Sequence, residues 1–205
     1  MEKLVVKTAV KTVIIILVAF GVIFAIFNFA FPQHMATLTE GMGNYSLAIK
    51  YASLRYTYTK DTGDLARCFD DAVLLGDDKY IVKFGEELVD CRDFELYCES
   101  KSMSVGSGYS YRQRVYSKLA ISYYNTGKKE EAVALAAKAN GTKGFAYGNA
   151  LMSLAAYARS AKDASTCSLI LNELDKITPS ESEGADYQAV QKSLRTIVNT
   201  YGNNT

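Results

Sequence analysis

Two regimes of hydrophobic patterning divide the chain. Residues 12–31, TVIIILVAFGVIFAIFNFAF, form an uncharged run of twenty positions with Asn28 as its one strongly polar side chain. After Pro32 the apolar residues become periodic, at the three- and four-residue spacing of amphipathic helices, and short polar turns separate them. Helix rise is about 1.5 Å per residue, so the first run predicts a helix reaching roughly 30 Å, the depth of a bilayer's hydrocarbon core. A helix satisfies its own backbone there, as lipid requires. A cleaved signal peptide would have a shorter apolar region and a small-x-small exit, whereas Asn28-Phe29-Ala30 puts Asn at one of the small positions. The expected organisation is a short cytoplasmic segment, 1–11, a transmembrane helix, 12–31, a helical domain, 32–201, and a flexible tail, 202–205.

Charge sets the expected orientation. Lys3, Lys7 and Lys11 precede the run, and the first basic residue after it is Lys50. By the positive-inside rule the N-terminus is cytoplasmic and the domain extracytoplasmic in a single-pass cell-membrane protein. Gly21 and Ala25 form a small-xxx-small pair that would permit close helix packing. The chain carries 23 basic and 22 acidic residues; without Glu2 and the three leading lysines, 20 face 21. A near-neutral domain argues against nucleic acid as a partner.

With only Pro32 and Pro179 as prolines and little β-branched alternation after the run, the domain reads as all-α. Within it, Gly43 opens GNYSLAIKYA, Gly76 opens GDDKYIVKFGEEL, Gly127 opens GKKEEAVALAAKA and Ala161 opens AKDASTCSLILNEL. The spacings are 33, 51 and 34 residues. Two are one period, and the third is one period plus an insert at about 90–108. In the best-defined unit, Tyr111–Asn125 is the first helix, 126–128 the turn and 130–139 the second helix, whose Ala132, Leu135, Ala136 and Ala139 share a face. Gly127 supplies the left-handed turn residue. A last helix at 185–201, with Tyr187, Val190, Leu194, Ile197 and Val198 as its stripe, reads as an end cap.

Leu119-Ala120, Tyr123 four residues before Gly127, Ala132 five after it and then Ala139 make this unit resemble the tetratricopeptide repeat, a 34-residue helical hairpin. The other three units match more loosely; none has the family's Trp or closing Pro. The resemblance implies a solenoid whose first helices line a groove for peptides or protein surfaces. Carried onto this sequence, that groove takes Arg114, Ile121, Tyr124 and Asn125 from the best unit, Arg159 from the next and Arg67 from the one before. Tyr and Arg are frequent interface anchors.

Chemistry is sparse. No phosphate-binding GxxxxGK[ST] stretch, GxSxG elbow or HExxH pair is present, and the single histidine is His34. The four cysteines, Cys68, Cys91, Cys98 and Cys167, lack zinc-ligand spacing, so no metal, cofactor or catalytic residue is expected. An oxidising compartment would allow a Cys91–Cys98 disulfide; the alternative is two thiols packed as small hydrophobes. The reading is a non-enzymatic, membrane-anchored scaffold that binds other proteins. The layout is similar to ancillary subunits of the bacterial protein-export channel and to envelope assembly factors. The alternative is an accessory subunit held in a larger membrane complex by its transmembrane helix.

Overall fold

The structure is a computed structural model that describes residues 2–105, 110–140, 150–179 and 184–202. The described residues form eleven α-helices and no strand. They divide into two compact units, Met1–Leu75 and Gly76–Thr205. Where periodicity suggested one domain over 32–201, the division falls at Gly76, the expected turn of the second repeat.

In the first unit, α1 (Glu2–Ala30) is followed by α2 (Pro32–Gly41), α3 (Tyr45–Thr59) and α4 (Thr62–Leu75). Within α1, Ala9–Phe27 is long and apolar enough to cross a membrane, and none of it is buried by the protein. Its length and composition fit a membrane anchor or a signal sequence. The helix also takes in the leading lysines, beginning before the apolar run. It stops where Phe31 leaves helical geometry (φ −131°, ψ 52°) and Pro32 starts α2, since proline's missing N–H costs nothing in a first turn. Beyond it α2 packs on α3 and α3 on α4, through Ala36, Ala48, Ala52, Leu65, Ala66 and Phe69. Small residues on facing helices permit this close approach.

The second unit holds α5 (Asp78–Val89), α6 (Phe94–Val105), α7 (Tyr111–Asn125), α8 (Lys129–Asn140), α9 (Ala150–Ser160), α10 (Ala164–Leu174) and α11 (Gly184–Tyr201). Each helix meets near neighbours in sequence: α7 packs on α5, α6, α8 and α9; α8 on α9 and α10; α10 on α9 and α11; α9 on α11. The core runs through Val115, Leu119, Ala132, Ala136, Leu154, Ala158, Ile170 and Leu174. The insert expected at 90–108 contains α6, a helix that runs to Val105; 106–108 lie outside the described residues. Phe94 and Cys98 bury its inner face, with Phe94 edge-on to Tyr116 at 6.1 Å, while Leu96 is exposed.

Three hairpin turns share one geometry. Gly43, Gly127 and Lys162 adopt positive φ (72°, 87° and 55°). At each, the next amide reaches back to a carbonyl one turn earlier: Asn44 N to Thr39 O, Lys128 N to Tyr123 O and Asp163 N to Ala158 O. This is the double-bonded left-handed helix stop. Gly76 also has positive φ (72°), and Asp77 caps α5 by accepting from the Lys79 and Tyr80 amides. The expected turn at Ala161 is therefore corrected by one residue. Lys162 takes the left-handed position, which no glycine marks in the sequence.

Candidate functional site

The sequence-predicted groove residues split between the units. In the first, Arg67 pairs with Glu40 of α2, and its Nη2 donates to Thr37 Oγ1 at 2.8 Å. Its guanidinium is thus engaged within that unit, joining α4 to α2. Two carboxylates lie close by. Asp71 is buried, and burial together with the neighbouring Glu40 charge pushes its carboxyl up to about 7, against the pull of Arg67. Asp64, also buried, receives Arg55 Nε at 3.1 Å and the Thr59 hydroxyl at 2.7 Å.

The other five lie in the second unit. Arg114, Ile121 and Asn125 fall on one face of α7 by their spacing of seven and four, and Tyr124 lies beside them. Arg114 and Ile121 are half-buried, and Arg114 sits 6.0 Å over the Tyr111 ring. Asn125 Nδ2 donates to Asp78 Oδ2 at 3.0 Å, beside the Ser122 hydroxyl on Asp78 Oδ1 at 2.7 Å, tying α7 to α5. The Tyr124 hydroxyl donates to Asp163 at 2.9 Å, and its ring meets Tyr157 edge-on at 5.5 Å.

Asp163 is the hub of this region. It caps α10 through the Thr166 amide (3.2 Å), accepts the Thr166 hydroxyl (2.9 Å) and pairs with Lys129 (2.7 Å). Burial raises its carboxyl, but the bonds from Lys129, Thr166 and Tyr124 outweigh that and hold it at about 2. Tyr124 and Asn125 therefore hold neighbouring helices in place.

Arg159 belongs to a different feature, an open cleft of about 380 Å³ between α9 and α11. From α9 come Met152, Ala155, Ala156 and Arg159, one helical face; from α11 come Asp186, Val190, Ser193 and Leu194, another. Ala155 and Leu194 form a buried apolar floor, while Arg159 and Asp186 are exposed at the rim. Arg159 Nη1 reaches Ser193 Oγ at 3.5 Å across the cleft. Fixing α11 against α10 leaves this edge open. The Tyr187 hydroxyl donates to Leu174 O, and Gln191 Nε2 donates to Asp175 at 2.7 Å and to the Tyr187 oxygen at 3.1 Å.

Counted back from the left-handed turn residue, Ala156 and Arg159 hold in α9 the positions that Ile121 and Tyr124 hold in α7. Sequence reasoning missed the α11 wall because it assigned that helix to capping; Val190 in its apolar stripe was the available signal. An apolar floor with a rim of opposite charges suits a side chain or short peptide segment. All four cysteines are thiols, with Cys68, Cys98 and Cys167 buried and Cys91 half-buried. Burial pushes Cys68 and Cys98 up to about 12 and Cys167 to about 11, which suppresses thiolate reactivity. Among the described residues no group of three or more His, Cys, Asp or Glu side chains is placed to hold a metal ion. No protein-family model, curated protein or solved structure matches the chain.

Proposed function

We propose that this chain is a single-pass membrane protein whose extracytoplasmic helical domain is a tetratricopeptide-like scaffold that binds another protein, without catalysis of its own. The observation that carries the reading is the α9–α11 cleft, with its apolar floor and its Arg159–Asp186 rim. The recurring turn at Gly43, Gly127 and Lys162 supports the repeat reading, as does the packing of α7, α8, α9 and α10 on near neighbours. The uncharged span in α1 and the lysines before it support the anchor and its orientation.

Ala156→Trp, which fills the cleft, tests the binding surface; exchanging residues 12–31 for an unrelated spanning helix tests the anchor's role. The scaffold reading expects association with the partner to be lost in the first variant and kept in the second. The opposite pattern would make the chain a subunit held through its transmembrane helix.

A further inference from the structure

A second cavity lies where α1 ends. It has a volume of about 330 Å³, and its walls include Phe29, Phe31, His34, Arg55, Tyr58 and Thr59. Three features bear on what it holds. First, it begins two residues beyond the Ala9–Phe27 span, so in a membrane-inserted chain it sits at headgroup depth. Second, its aromatic residues face outward: Phe29 and Tyr58 are each 75% exposed. In water such exposure is unfavourable, but at a bilayer interface aromatic rings find both apolar and polar surroundings.

Third, it contains a positioned cation. Arg55 meets Asp64 through Nε, so its planar fork is oriented, and its side chain stays 30% exposed. An oriented guanidinium is well matched to phosphate oxygens, which accept paired N–H bonds. Asp64 itself is occupied, since it takes Arg55 and the Thr59 hydroxyl and its side chain is only 9% exposed. His34 and the Tyr58 hydroxyl add polar groups at the mouth, while Phe31 stacks edge-on to His34 at 5.9 Å.

We infer that this cavity binds the phosphate of a phospholipid headgroup, with Arg55 as its principal donor and Tyr58 and His34 at its rim. The site rests on the membrane-anchor reading. It would fix the depth and tilt of α2 and α3 at the bilayer surface.

The test is photo-crosslinking of the full chain in nanodiscs of phosphatidylcholine containing a headgroup-photoreactive phosphatidylglycerol, with adducts mapped by peptide mass spectrometry. Adducts on residues 31–34 and 55–59 are expected, reduced at least fivefold by Arg55→Gln and by the double variant His34→Ala/Tyr58→Ala. The double variant alters only exposed side chains and keeps the Arg55–Asp64 pair, so its result stands even where Arg55→Gln unfolds. Adducts from acyl-chain probes on α1 report insertion separately. Insertion without cavity adducts, or cavity adducts indifferent to both variants, overturns the lipid site while the anchor stands. No α1 adducts would overturn the anchor and the site together. Displacement of the cavity adducts by millimolar inorganic phosphate would assign the site to free phosphate and overturn the lipid assignment.

Discussion

The two units solve the same packing problem with different chemistry. Around α2–α4 the first unit places charges between helices: Arg67 with Glu40, Arg55 with Asp64, and Asp71 buried beside them. The second unit packs alanine and leucine among α7–α10 and keeps its polar hubs, Asp163 and Asp78, half-buried at the solvent edge. Buried charges stabilise only while their partners and protons are in place, whereas apolar packing is indifferent to pH. The units should therefore differ in what breaks them. Urea midpoints read separately for peptides of α4 and α10 by pulsed hydrogen exchange would show it.

The largest effect is expected from packing. Leu119 is fully buried in α7, and Leu119→Ala should cost the second unit about 3 kcal/mol. The α10 midpoint would fall while the α4 midpoint stayed. If both moved together, the units would be one cooperative structure and the comparison would collapse.

Next comes Asp71. Its folded-state carboxyl titrates near 7, above its ordinary value, so between pH 4 and 7 the unfolded chain ionises while the folded unit keeps the proton. The first unit should thus lose stability as pH rises through that window, by about 2 kcal/mol. Asp71→Asn should flatten the response. An unchanged slope in the variant would place the proton on another group.

Asp163 runs the other way and more weakly. Held at about 2, it contributes stability that is present above pH 4 and lost as pH falls toward 2. Asp163→Ala should cost the second unit about 1.5 kcal/mol at neutral pH, through the lost α10 cap and the lost Lys129 and Tyr124 partners. Asp163→Asn should recover the cap's share. Equal losses in both variants would mean that the charge, and not the cap, carries the effect.

Local signals were legible in the sequence, and distant pairings were not. Gly127 and the alternation around Leu119 and Ala132 mark α7, its turn and α8, because a glycine stop and a helical period are written in adjacent residues. The fourth turn was displaced by one residue because Lys162, a residue type with no turn signature, takes positive φ there. Arg67 read as a groove anchor, but Glu40 lies 27 positions earlier, and nothing local to either residue announces their pairing. Of the residues lining the α9–α11 cleft, Arg159 was named from the sequence, but for a groove of first helices; the wall supplied by Asp186, Val190 and Ser193 depends on how α11 docks.

The most direct test of the scaffold reading is site-specific photo-crosslinking in the native membrane, with probes at Ala156 and Val190 in the cleft, at exposed Lys192 of α11 as a control, and at Gly21 in the anchor. The account predicts one partner trapped from both cleft positions, lost when Arg159→Glu reverses the rim charge, and not trapped from Lys192. Adducts from Gly21 alone, or cleft adducts indifferent to Arg159→Glu, would contradict it.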